Sequence, residues 1–166
     1  MVVAQAGSAD GLVAAEPSEA VVVLTADCAS IALGSAEGVF AAVHAGWRGL
    51  VDGVVSSAVR AMRSMGATAV AGALGPCIHP ECYEFGVADL DRLAVRLGES
   101  VRGRTATGHP ALDLPSSVTA SLAAAGVAQV AGFDACTACG GGHFSHRARS
   151  DRGRQALVVW SGAGAS

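Results

Sequence analysis

The sequence predicts an α+β fold: one compact domain in which mixed β-sheets are flanked by helices. Two observations carry this. Short β-branched runs and amphipathic helical patterns alternate along the chain without the strict repeat of a parallel βα array. Hydrophobic residues make up 51% of the chain, yet only 4% are aromatic and 22 are glycine. The core is therefore built from valine, alanine and leucine, and the connections are tight turns. At 166 residues the chain reads as a single domain over residues 1–166, with residues 161–166 a frayed tail.

Residues 1–18 are rich in alanine and glycine, with one turn at Ser8-Ala9-Asp10-Gly11. Strands follow over 19–24, 30–33 and 38–43, and their apolar runs imply burial on both faces. Apolar positions at Val51, Val54, Val55, Ala58, Val59 and Met62 recur at helical spacing and predict one helix over 50–65. A strand over 70–74 opens into Gly75-Pro76-Cys77-Ile78-His79-Pro80-Glu81-Cys82-Tyr83-Glu84. A short amphipathic helix is predicted over 87–97, then a mobile polar loop over 98–110. A helix over 114–125 ends at Gly126, a strand covers 127–133, and 134–154 reads as irregular. The last strand spans 156–160.

Net charge is −3, and all eleven basic residues are arginine with no dense basic run. That argues against nucleic acid as a partner. The apolar segment at 20–24 is far too short to span a bilayer, and the first residues lack a secretory pattern. Five cysteines, an odd number, point to reduced thiols in a cytosol. The expectation is a soluble cytoplasmic protein, monomeric or weakly dimeric, with no membrane partner.

The chemistry-bearing residues gather around Val43-His44-Ala45-Gly46-Trp47-Arg48-Gly49. A strand delivers His44 to a glycine-flexed turn, with Arg48 close behind, as in many metal or anion sites. Asp27 and Cys28 stand at another strand end, where Asp27 could be a base or an orienting carboxylate and Cys28 a thiolate. Both also suit a plain turn and a small buried side chain. Cys77, His79 and Cys82 carry zinc-type donors. A closed site from Cys77, Cys82, Cys136 and Cys139 is one possibility. A catalytic site from His44, one of these cysteines and a second histidine is the other. Arg147 and its neighbours could hold a phosphate. Five histidines with no His-x-His pair argue against a multi-copper centre.

Taken together, Thr25-Ala26-Asp27-Cys28, His44-Ala45-Gly46-Trp47-Arg48-Gly49, Gly75-Pro76-x-Ile78-x-x-x-Cys82-Tyr83-Glu84, Leu112-Asp113-Leu114, Cys136-Thr137, Phe144-Ser145-His146-Arg147 and Gly153-Arg154 resemble the laccase-domain family, also filed as polyphenol oxidase or peptidoglycan-editing-factor proteins. The resemblance covers roughly residues 21–160. It implies a zinc-dependent purine nucleoside phosphorylase that takes adenosine, inosine and methylthioadenosine with phosphate, and that also deaminates adenosine.

It further implies a zinc held by two histidines and a cysteine, assigned by position to His44, Cys82 (Cys77 second, with Glu81 adjacent) and His109. Copper is implied only by the family label. Arg48 and Arg147 become the phosphate ligands, and Asp27 and Cys28 the residues that position ribose or relay a proton. Family members carry a longer N-terminal region that contributes a Val-His motif to the site, and this sequence begins near the point where that region ends, as a fragment, a short member or one without activity would. The alternatives are a hydrolase editing peptidoglycan precursors through a cysteine nucleophile, a polyphenol oxidase as the label has it, and a degenerate module without activity.

Overall fold

The computed structural model describes residues 9–162. In chain order the strands and helices are β1 (Gly11–Ala14), β2 (Ala20–Thr25), β3 (Ala29–Gly34), β4 (Phe40–Ala45), α1 (Trp47–Asp52), α2 (Val54–Ser64), β5 (Ala71–Leu74), α3 (Val87–Leu97), β6 (Arg102–Arg104), β7 (Pro110–Leu112), α4 (Leu114–Ala124), β8 (Ala128–Gly132), α5 (His146–Arg149) and β9 (Gln155–Trp160). Short 3-10 turns cover Pro80–Cys82 and Glu99–Val101. Of the frayed tail expected over 161–166, residues 163–166 lie outside the described residues.

A five-stranded sheet runs in the order β1-β4-β3-β5-β8. Its pairs are antiparallel except β5 with β8, which is parallel. A ribbon of β2 and β9, paired from Ala20↔Trp160 to Thr25↔Gln155, packs on one face, and helices α2 and α4 pack on the other. The α+β class read from the sequence is the observed one.

The alternation of side chains along a strand explains why β4 is apolar at nearly every position. Ala41, Val43 and Ala45 point into the helix-side core, whereas Phe40 and Ala42 point into the ribbon-side core. His44 shares the parity of Phe40 and Ala42, so it emerges at the ribbon-side rim. The helix-side core contains the fully buried Ile31, Leu33, Leu50, Met62, Leu114 and Leu122. Each contributes about 2 kcal/mol of burial.

Three expectations need correction. The helix predicted over 50–65 is two helices, because Gly53 sits at φ 80°, caps α1 and donates its N–H to Gly49 and Leu50 carbonyls. The apolar spacing runs on across the break, so periodicity alone did not show it. The loop predicted over 98–110 is a turn plus the β6–β7 hairpin, paired from Arg102↔Leu112 to Arg104↔Pro110. Arg102 is held there by Glu99 and Asp91 at 2.7 and 2.8 Å, and the polar Arg-Gly-Arg strand gives no alternation to read. Finally, β1 was missed in the alanine-rich start. Among the described residues no helix is long and apolar enough to cross a membrane.

Gly53 generates a test. A Cβ there meets both the left-handed backbone and Arg96 Nη2 at 3.1 Å. Gly53→Ala is expected to lower stability by about 1–2 kcal/mol, or roughly 2–8 °C in melting temperature. Gly53→Asn, which tolerates left-handed backbone, should lose less. Thermal unfolding of both variants checks this.

Candidate functional site

The strand register brings most of the motif segments to one rim of the sheet. Ala29, at the start of β3, pairs with Ala45 at the end of β4. Ile31 pairs with Leu74 at the end of β5, and Leu74 with Gly132 at the end of β8. Gly11 opposite Val43 and Gln155 opposite Thr25 put the segments before β1 and β9 at the same rim.

Asp27 ties that rim together. It is 7% exposed and holds a left-handed φ of 83°, a conformation that aspartate tolerates better than most residues. Its Oδ1 accepts from the Thr137 hydroxyl at 2.7 Å, and its Oδ2 accepts from the Arg147 backbone N–H at 2.6 Å. Its carbonyl accepts from Ile78 N–H at 2.9 Å, while Thr137 N–H donates to the Cys77 carbonyl at 3.1 Å. The Asp27 side chain is thus turned inward as an orienting carboxylate. It fixes Cys28 and the backbone that carries Arg147.

His44 has a partner that sequence reading missed. Its Nδ1 lies 2.8 Å from Asp10 Oδ1, and its N–H donates to the Asp10 carbonyl at 2.7 Å. The only trace in the sequence was the turn at Ser8–Gly11, which read as turn chemistry alone. With Nδ1 turned to a carboxylate, Nε2 is the nitrogen left for a ligand. It faces Cys28: a Cβ at Gly46 would stand 3.2 Å from Cys28 Sγ and 4.0 Å from His44 Nε2. Gly46 therefore leaves this gap clear. Hydrogen bonding to Cys28 is the main reason the His44 imidazolium is held up to about 9. Burial works against that rise, and Asp10 adds to it.

The arginines sit on an aromatic cluster. Phe85 meets Trp47 edge-on at 5.5 Å and Tyr83 at 5.2 Å. Arg48 stacks over Trp47 at 4.3 Å and Arg147 over Tyr83 at 5.3 Å. Arg147 also donates to the Glu84 carbonyl. Burial is the main cause that pushes the Tyr83 phenol up to about 12. Cys28 and Asp27 push the same way, and Arg147 and Arg48 pull down. The two arginines, distant in sequence, thus act on one hydroxyl. Tyr83 itself was not among the site residues expected.

The expected zinc set of His44, Cys82 and His109 is not assembled. Among the described residues, the ligand atoms that converge within 4.8 Å are those of Glu81, Cys82, Cys136 and Cys139. Cys82 Sγ lies 2.9 Å from Cys139 Sγ, because the 3-10 turn at Pro80–Cys82 faces the loop after β8 rather than β4. His109, on the exposed β6–β7 turn, pairs with Glu84 at 3.2 Å. The closed site considered from Cys77, Cys82, Cys136 and Cys139 has Glu81 where Cys77 was expected. Cys77 is buried, which is the main cause that pushes its thiol up to about 12. Burial, first among the causes, raises the Cys82 thiol, while hydrogen bonding to Cys82 leads for Cys139.

Comparison with known proteins gives a consistent family. A family model described as multi-copper polyphenol oxidoreductase laccase matches residues 1–162. A purine nucleoside phosphorylase of Streptomyces coelicolor is 41% identical over 155 residues, covering 91% of this chain and 63% of that protein. One from Mycobacterium tuberculosis H37Rv is 38% identical over 154 residues, covering 91% and 61%. Among solved structures, a Neisseria meningitidis protein superposes with a TM-score of 0.83 at 30% identity, over 93% of this chain and 65% of that one. YlmD from Geobacillus stearothermophilus gives 0.80 at 28%, over 93% and 62%. The chain spans less than two thirds of the length of each of these relatives. With most of its motif segments gathered at one rim and the family model matching over 1–162, the chain belongs to the multi-copper polyphenol oxidoreductase laccase family.

Proposed function

We propose that this rim is the phosphate- and ribose-binding part of a purine nucleoside phosphorylase. The observation that carries the reading is the pairing of the arginines. Among the described residues, Arg92, Arg102 and Arg149 are ion-paired with carboxylates, whereas Arg48 and Arg147 stack on aromatic faces at the rim. A guanidinium held on a ring keeps its charge and part of its donor fork for an outside anion. Relatives that are named purine nucleoside phosphorylases support the same reading. In this reaction a phosphate oxygen attacks the ribose anomeric carbon as its bond to the purine nitrogen breaks. The base leaves with a proton and ribose 1-phosphate forms. Arg48 and Arg147 hold the phosphate, Tyr83 stays protonated and donates to it, and Asp27 keeps the Arg147 and Cys28 backbones in place.

Adenosine, inosine and methylthioadenosine are the substrates we assign, with adenosine deamination as a second activity. His44 Nε2 and Cys28 Sγ are a donor pair suited to zinc, and Asp10 orients the imidazole as a carboxylate behind a metal-ligating histidine does. A zinc held there would supply Lewis-acid polarisation for the deamination. A multi-copper centre does not fit these residues. Such centres gather histidines, and among the described residues none of the histidines belongs to a cluster of three or more ligand atoms within 4.8 Å.

One observation also favours a second reading. Asp10, His44 and Cys28 stand in the order of an orienting carboxylate, a base and a nucleophile, which is the arrangement of a cysteine hydrolase acting on peptidoglycan precursors. Inosine turnover that needs phosphate and is lost to a chelator supports the phosphorylase. Turnover of a peptide or amide substrate that resists chelator and is lost to a thiol alkylator supports the hydrolase.

His44→Ala is expected to abolish phosphorolysis and deamination together while the chain stays folded, since an open rim site contributes less to folding than a closed one. Asp10→Ala should cost about 10–100-fold in activity. Retained turnover in the His44 variant, with no fall in zinc per chain relative to the unaltered chain, would end this assignment. Removing either arginine removes charge-assisted hydrogen bonds of about 1.5–3 kcal/mol. Arg48→Ala or Arg147→Ala should therefore raise the KM for phosphate roughly 10–150-fold, and Arg48→Lys should restore it only partly. Phosphate titrations at fixed inosine check this, and an unchanged KM in both alanine variants would refute phosphate binding at this wall.

A further inference from the structure

We propose that Glu81, Cys82, Cys136 and Cys139 form a closed structural zinc site, separate from the rim of His44 and Cys28. Their four ligand atoms all lie within 4.8 Å of one another. Four donors around a zinc with bonds of about 2.0–2.3 Å stand roughly 3.3–3.8 Å apart, so shifts of about 1 Å at the side-chain tips complete the tetrahedron. Cys139 Sγ stands 3.4 Å from Glu81 Oε1, within that spacing, and 2.9 Å from Cys82 Sγ, somewhat short of it.

The chemistry of the set is selective. Three thiolates favour a thiophilic ion such as Zn2+ over Mg2+ or Ca2+, and one carboxylate completes the four ligands of a closed site. Cys136-Thr137-Ala138-Cys139 has the spacing of a zinc knuckle, in which backbone N–H groups point at the sulfurs. Here His79 N–H already donates to Cys136 Sγ at 3.3 Å. Arg149 steadies the knuckle from outside by donating to the Ala138 and Thr137 carbonyls at 3.1 and 3.2 Å.

The position gives such a site a task. Cys82 immediately precedes Tyr83, and Cys136 immediately precedes Thr137, which donates to Asp27. A zinc here would staple the turn after β5 to the loop after β8, and so hold the Tyr83 wall against the Asp27 anchor. That role is independent of the reaction proposed above.

The test uses the full chain carrying Cys28→Ala and His44→Ala, which removes the rim donors. Incubated with zinc chloride and freed of excess, this variant is expected to retain one zinc per chain by elemental analysis and to melt at a higher temperature than its chelated form. Adding Cys139→Ser should remove that zinc and the melting shift, and Glu81→Gln should weaken zinc retention with the fold intact. Should the double variant fail to fold, cobalt substitution of the unaltered chain serves instead. Its thiolate-to-cobalt absorption should fall by more than half on Cys139→Ser and Cys136→Ser combined. Failure of the double variant to retain zinc, zinc retention unmoved by Cys139→Ser, or a Cys82–Cys139 disulfide that persists in zinc-treated, reductant-kept protein would each overturn the site. Loss of activity in the His44 variant leaves these outcomes untouched, so the two sites fail separately.

Discussion

The architecture of the rim depends on one buried carboxylate. Asp27 turns the chain from β2 into β3 through a left-handed residue and spends both oxygens on segments that arrive more than a hundred positions later. A buried charge is costly unless it is fully hydrogen-bonded. That cost enforces the arrangement, because the carboxylate is stable only when the Thr137 and Arg147 segments are both seated. Cys28 and Arg147 thus take their places from the same constraint.

The sheet supplies the second constraint. Strand β4 is buried on both faces and can present a polar side chain only at its end, where the ribbon of β2 and β9 stops covering it. His44 occupies that position, and the half-buried imidazole is then held by Asp10 on one nitrogen and turned toward Cys28 on the other. Gly46 admits the thiol because it has no Cβ to fill the gap. The strand order converts sequence distance into proximity: segments before β1, after β2, after β4, after β5 and before β9 all surface at one edge.

This division explains what could be read from the sequence. The strands over 20–25, 29–34 and 40–45 declared themselves as short apolar runs buried on both faces, and the helix Val87–Leu97 by the helical period of its apolar residues. His44, Cys28, Asp27 and Arg48 drew notice because strand ends and glycine turns mark rims, whereas Arg147 stood out only through the motif Phe144-Ser145-His146-Arg147. The Asp10 partner was not legible, since an aspartate in a turn looks the same whether or not its side chain serves a distant histidine. The zinc set failed for a related reason. Resemblance to a family gives positions along a chain, and whether Cys82 or Cys77 could meet His44 depended on which way the turn after β5 faces. The β6–β7 hairpin escaped because its strands are held by ion pairs and by the close packing of Gly103 on Pro80, where a Cβ would stand 2.5 Å from the Pro80 Cβ. No hydrophobic pattern announces either.

The segregation of the sulfur donors follows from the same geometry. Cys28 lies at the β2–β3 turn beside an imidazole with an orienting carboxylate, a polar and half-open setting in which a ligand could exchange. Cys82, Cys136 and Cys139 converge on the outer side of the Tyr83 turn with a glutamate beside them, a setting with four protein donors and no need for a fifth. Cys77 belongs to neither group: it is buried in the helix-side core, and burial disfavours the thiolate that a metal requires. An odd cysteine count therefore resolves into one thiol at a reactive rim, three at a candidate staple and one that serves packing. The aromatic cluster of Trp47, Phe85 and Tyr83, whose last member follows Cys82 directly, carries the two guanidinium groups.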